Sequence, residues 1–127
     1  MNKINTFINT FDFDGVIYMG PDFTGLRPCI NDIIITGRPI SESKFVLEIL
    51  SERHINNPIH FNPIPREDPE YSREASGKWK AKVLDQLKQQ YMIGLHYEDD
   101  EIQSEIIQKI HPDICIVHVQ HGQIIEY

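Results

Sequence analysis

Cysteine is scarce in this chain: Cys29 and Cys115 are the only thiols among 127 residues. They stand far apart with no CxxC pair, so neither a zinc-ribbon site nor a disulfide-stapled scaffold is indicated. Cys115, inside an apolar run, reads as a small buried residue. Alanine is also scarce, with Ala75 and Ala81 set against 21 isoleucines, and that weighting toward β-branched residues favours buried strands over an all-helical bundle. Long apolar runs are missing too. The densest, Ile33-Ile34-Ile35, is far short of a membrane span, and Met1-Asn2-Lys3-Ile4-Asn5 has no signal-peptide hydrophobic region, so a cytoplasmic protein with no membrane partner is expected. Basic charge is in deficit: 12 Lys and Arg against 19 Asp and Glu leave a net charge of −7. Such a surface is not built to grip nucleic acid by neutralising phosphates, although a nucleic-acid end remains admissible as a substrate.

What is present suits one folded domain spanning residues 1–127, with 40% hydrophobic and 24% charged residues. Thr6 to Asp12 reads as a short buried strand stopped by acidic residues and Gly15, and Asp32 to Thr36 repeats that form and stops at Gly37. Ser41 is a candidate N-cap for a helix to about Arg53, with Ile40 and Phe45 placed as a hydrophobic staple and Phe45, Val46, Ile49 and Leu50 on one face. Pro58 to Phe61 reads as a brief strand, followed by an exposed loop to Gly77. Trp79, Val83, Leu84 and Leu87 mark the next helix, Met92 to His96 a strand, Ile102, Ile106, Ile107 and Ile110 a further helix, and Asp113 to Val119 a last strand. Strands alternating with helices imply parallel βαβ units, hence an α/β, three-layer Rossmann-like sheet flanked by helices. Ligands of such sheets bind beyond the carboxyl ends of the strands.

Those ends hold Asp12 and Asp14, then Thr36, Gly37 and Arg38, then Glu98, Asp99 and Asp100, with a lysine at the start of the Trp79 helix. Carboxylates converging at one sheet edge repel by roughly 4 kcal/mol per close pair at an effective dielectric of about 20. A divalent cation relieves that repulsion, and oxygen ligands without paired His or Cys point to Mg²⁺. A hydroxyl, a guanidinium and an ammonium facing the same carboxylates form a receptor for a phosphoryl group.

The order Asp12-Phe13-Asp14-Gly15-Val16, Thr36-Gly37-Arg38, a helix lysine, then Glu98-Asp99-Asp100 resembles the four motifs of the haloacid dehalogenase (HAD) superfamily of phosphatases, from Thr6 to about Val119. The TGR triplet, Trp79-Lys80 and Tyr97-Glu98-Asp99-Asp100 are similar to the HAD domain of Swiss Army Knife RNA repair proteins and to polynucleotide 3′-phosphatases. The resemblance implies a Mg²⁺-dependent phosphomonoester hydrolase working through an aspartyl-phosphate. Asp12 would be the nucleophile and a metal ligand. Asp14 would be the general acid and base, its backbone carbonyl touching the metal. Thr36, Gly37 and Arg38 would bind the phosphoryl group, and Asp99 with Asp100 would complete the metal site. Lys78, Lys80 and Lys82 all lie near the third motif; Lys80 is preferred because Val83, Leu84 and Leu87 follow it at offsets of three, four and seven.

Only 21 residues separate Asp14 from Thr36, and the stretch between Arg38 and Lys80 is too short for a folded insert, so no cap domain is expected. An open site suits a phosphorylated macromolecule or a nucleotide, whose own bulk excludes water. Two rival readings share the fold: a catalytically silent binding module, and a phosphoacceptor receiver domain, against which stands Asn62 where a receiver's acceptor Asp belongs. Plainer readings also exist for single features. Asp14-Gly15 is a common turn pair, and Asp99-Asp100 suits a helix N-terminus. Arg66, Arg73, Lys78, Lys80 and Lys82, interleaved with Tyr71 and Trp79, read either as a nucleic-acid track or, in better accord with the net charge, as a solvated face with Trp79 in the core. His118 and His121 would point to opposite faces of a strand, and no metal role is given to any histidine.

Overall fold

A computed structural model describes residues 6–126; the Met1–Asn5 segment lies outside the described residues. The chain runs β1 (Phe7–Phe11), β2 (Ile33–Pro39), a 3₁₀ turn (Ile40–Glu42), α1 (Ser43–Glu52), β3 (Ile59–Asn62), α2 (Arg73–Leu87), β4 (Met92–Glu98), α3 (Glu101–Ile110), β5 (Cys115–Gln120) and β6 (Gln123–Glu126). One six-stranded sheet results, in the order β3-β2-β1-β4-β5-β6. All neighbours are parallel except β5 and β6.

Period-two alternation sends the strand side chains to two cores. Ile8, Ile33, Ile35 and Ile116 pack with Ala81, Leu84 and Leu87 of α2 and Ile107 of α3. Phe11, Ile34, Val117 and Val119 pack with Val46 and Leu50 of α1 and with Phe13, Val16 and Ile17. The isoleucine excess is spent here, since Ile34 and Ile35 are fully buried, each contributing roughly 1.5–3 kcal/mol by leaving water.

Several local expectations are corrected. Helix α2 starts at Arg73, where the Ser72 hydroxyl accepts the Ala75 N–H at 2.9 Å, so Lys80 lies mid-helix rather than opening it. Gly77, read as the end of a loop, sits inside α2 because the helices cross closely there: a Cβ would lie 3.1 Å from the Gln103 Cα on α3. Ser41 is not an N-cap; it falls in the 3₁₀ turn, and α1 begins without a side-chain cap. Phe45 is 44% exposed, its ring lying under the Arg38 guanidinium and edge-on to Tyr18. Cys115 is exposed, not buried, and both cysteines are free. Strand β6 was not foreseen. His121 and Gly122 both take positive φ, 51° and 71°, forming the tight reversal that Asn-Gly usually supplies. The Gly122 N–H then donates to the Gly15 carbonyl at 2.9 Å, so the hairpin braces the loop after β1.

Strands β2 and β4 flank β1, and the chain leaves β1 toward opposite edges of the sheet. The carboxyl ends of β1, β2 and β4 therefore meet at the point where strand order reverses, the place where open α/β sheets form a crevice.

Candidate functional site

A cleft of about 460 Å³ opens at that point, lined among others by Asp12, Asp14, Gly37, Arg38, Lys80 and Asp99. Asp12 follows the last residue of β1. Its Oδ1 accepts the Phe13 N–H at 2.8 Å and lies 3.1 Å from Lys80 Nζ. Burial, and then the Glu98 charge, raise the Asp12 carboxyl to about 7. Asp99 lies beside it and reaches solvent; partial burial and then the Asp12 charge raise it to about 8.

Among the three candidate lysines the structure is selective. Lys78 and Lys82 are exposed, whereas Lys80 is 1% exposed and is held between two carboxylates, 2.8 Å from Glu98 Oε1 and 3.1 Å from Asp12 Oδ1. Burial opposes its charge, but Asp12 and Glu98 outweigh burial and raise its pKa.

Below Lys80 runs a chain of buried polar groups that sequence reasoning did not assemble. Glu98 Oε1 lies 3.0 Å from His96 Nε2, and His96 Nδ1 lies 2.7 Å from Thr10 Oγ1. Burial, and then Lys80, push the imidazole down to about 3, so it is neutral. A carboxylate only accepts, so His96 Nε2 carries the proton and donates to Glu98, while Nδ1 accepts from the Thr10 hydroxyl. The signal was present: His96 and Glu98, two apart on a strand, share a face, and parallel register sets Thr10 beside His96.

The other expected residues are present but engaged. Asp14 receives two hydrogen bonds from Arg38, Nε to Oδ2 and Nη2 to Oδ1, both 2.8 Å. Asp100 caps α3, accepting the Ile102 and Gln103 N–H groups, and takes a bidentate grip from Arg73 at 2.8 and 2.9 Å. Burial opposes the Asp100 charge; Arg73 and the helix N–H groups overcome it and lower its pKa. Thr36 is fully buried in the middle of β2, which runs on through Gly37 to Pro39 instead of stopping there, and its Oγ1 accepts the Arg38 N–H at 3.1 Å. Asn62 is buried beside them, donating to the Gly37 carbonyl and to Ser76 Oγ.

Three acidic residues can direct one oxygen each to within 4.8 Å of one another: Asp12, Glu98 and Asp99. Glu98 is already committed to Lys80 and His96. Asp12 and Asp99, whose raised carboxyls mark charges without sufficient compensation, are the pair a hard cation fits. The carboxylates of Asp14 and Asp100 stand outside this cluster. Among the described residues no helix is long and apolar enough to cross a membrane. No family model matches the chain, and no curated protein or solved structure matches it.

Proposed function

We propose that this chain is a Mg²⁺-dependent phosphomonoester hydrolase of HAD type, with a three-layer Rossmann-like sheet and no cap domain, acting on a nucleotide or a nucleic-acid end. The observation that carries this reading is the buried Lys80 held at 3.1 Å from Asp12, with Asp99 alongside, on the floor of an open cleft at the strand-order reversal. An ammonium so placed keeps Asp12 oriented and offsets charge on an incoming phosphoryl group.

A Mg²⁺ ion held by Asp12 and Asp99 would neutralise their mutual repulsion and draw charge from a phosphoryl oxygen. The chain's own residues do the rest. Asp14, once released by Arg38, takes a proton from solvent; a carboxylate oxygen of Asp12 attacks phosphorus, the ester P–O bond breaks, and Asp14 delivers that proton to the departing oxygen. Water then attacks the same phosphorus, giving a proton to Asp14; the acyl P–O bond breaks, inorganic phosphate leaves and Asp12 is restored. Asp14 can do this only after Arg38 lets go of it. A phosphoryl group, with more charge and more acceptor oxygens than a carboxylate, is a fitting replacement partner for that guanidinium.

The test is Mg²⁺-dependent phosphate release from nucleoside monophosphates and from 3′- and 5′-phosphorylated oligonucleotides, with Asp12→Asn as the blank. Release by the native chain and a loss of at least about 10³-fold in Asp12→Asn is expected, nucleophile removal being among the largest single effects in catalysis. Full activity in Asp12→Asn would remove the nucleophile assignment, and Mg²⁺ and ligand binding without turnover would make the chain a silent binding module.

A further inference from the structure

The outer wall of the cleft is lined by arginines that the reaction above does not use. Arg66 and Arg73 are 53% and 60% exposed on their side chains, and both line the same cleft as Asp12. Arg66 grips Glu42 with two hydrogen bonds, 2.7 and 2.9 Å, and its guanidinium lies 5.2 Å from the centre of the Tyr71 ring. Tyr71 is itself fixed, its hydroxyl donating to the Gly37 carbonyl at 3.0 Å. Arg73, at the first turn of α2, grips Asp100.

Three features set this rim apart from ordinary surface ion pairs. The first is local charge. In a chain of net charge −7, the cleft sets Arg38, Arg66, Arg73 and Lys80 against Asp12, Asp14, Asp99 and Asp100, with Glu42 and Glu98 paired behind them, so a divalent cation offsets the two acids in excess and lifts the local acidity that would repel an anion. The second is spacing. Arg73 lies seven residues before Lys80 on one helix, about 10 Å along the axis, and the two cations serve different acids, Arg73 on Asp100 and Lys80 on Asp12. The third is exchangeability. Both guanidinium forks are already shaped to a bidentate acceptor and reach solvent, and a phosphate offers them more charge than a carboxylate does, so Glu42 and Asp100 hold the arginines in place until a stronger anion arrives.

We propose that Arg66, Tyr71 and Arg73 form a second anion subsite, and that the substrate is a phosphomonoester whose leaving group carries a second phosphate. This rests on the hydrolase reading of the same cleft. Arg66 and Arg73 take the second phosphate, and the Tyr71 ring supports the group between the two phosphates.

The experiment measures binding by calorimetry with the Asp12→Asn chain in Mg²⁺, using adenosine 3′-monophosphate, adenosine 5′-monophosphate, adenosine 3′,5′-bisphosphate and a 3′-phosphorylated dinucleotide. The bisphosphate or the dinucleotide should bind about 10-fold more tightly than either monophosphate, and Arg66→Gln/Arg73→Gln should reduce that preference to about 2-fold, a change of about 1 kcal/mol by the ordinary affinity relation. Whichever of the two binds better identifies the second anion as a phosphomonoester or a phosphodiester. Absence of any preference, or a preference that survives the double substitution in a protein of native melting temperature, would overturn the subsite. Phosphate release by the native chain separates the two levels. Preferential binding without release supports the subsite and removes the hydrolase, whereas release at equal kcat/KM from mono- and bisphosphates removes the subsite and keeps the hydrolase.

Discussion

Replacing Lys80 with methionine keeps nearly the same length and removes the one positive charge that touches both Asp12 and Glu98. All three side chains are at most 8% exposed, and Lys80 Nζ sits 3.1 and 2.8 Å from the two carboxylates. Removing one partner of a buried ionic cluster costs about 3–5 kcal/mol, and the lower figure applies here because Asp12 can take up a proton instead of remaining charged. With an unfolding entropy of about 2.1 cal/mol/K per residue, 3 kcal/mol corresponds to a melting-temperature loss of about 11 °C for a chain of this length.

The pH dependence gives the sharper test. The Asp12 carboxyl is already raised from 3.8 to about 7 with Lys80 present, and it moves higher without it. Above pH 3.8 the native state then holds more protons than the unfolded state, so stability falls as pH rises toward the raised value. The raised pKa of Lys80 contributes stability that is fully present below 10.5 and lost only above it, so the native chain keeps this support throughout the window. The gap between native and Lys80→Met chains should therefore stay level from pH 5 to about 6.5, where both lose stability at the same slope, and widen above pH 7 by up to about 1.4 kcal/mol per pH unit until the variant's Asp12 ionises. Thermal unfolding in EDTA, with the exposed Lys82→Met as control, measures it. A Lys80→Met loss no greater than the control's, or a gap flat across pH, would refute the argument.

Stabilisation by Mg²⁺ should grow from pH 6 to pH 9, because Asp12 at about 7 and Asp99 at about 8 must both shed protons to hold a cation, reaching about 2.7 kcal/mol at 100 times the dissociation constant; a melting shift independent of pH would contradict it. Gly15→Ala should abolish that Mg²⁺ shift while destabilising the chain by about 1–3 kcal/mol, since Gly15 has φ of 78° and a Cβ there would collide with the Asp99 carboxylate. His96→Leu strands the Thr10 hydroxyl and one hydrogen bond of Glu98 and should cost about 2–4 kcal/mol in urea unfolding, with Thr10→Val/His96→Leu losing less than the sum of the single changes.

The parts of this fold legible in the sequence are those where one physical signal acts alone. The Ile33–Ile35 run ending at Gly37 marks β2 because burial on both sheet faces demands continuous apolar residues, and the shorter Phe-Ile-Asn-Thr-Phe stretch ending in Asp12 marks β1. Helix α2 was read short because two signals conflict at Gly77: intrinsic propensity disfavours glycine in a helix, but packing against Gln103 on α3 requires it. The β5–β6 hairpin escaped notice because His121 stands where Asn or Asp normally advertises a positive φ.

Within the site, chain order revealed which acids reach the cleft but not which of them remain uncommitted. Asp12 and Asp14, like Asp99 and Asp100, are near neighbours with the same chemistry, and spacing alone assigns all four to a cation. Their roles divide according to what the rest of the chain brings alongside. Arg38, leaving β2, occupies Asp14; Arg73, opening α2, and the N–H groups of α3 occupy Asp100. Asp12 and Asp99 are paired with no arginine; the cation beside Asp12 is the buried ammonium of Lys80. Burial first, and then the neighbouring negative charge that Lys80 only partly offsets, raise their carboxyls. A cation supplied there and a phosphate supplied to Arg38 would each satisfy a group that the chain by itself leaves strained or misdirected, so occupancy of the two positions should be mutually reinforcing.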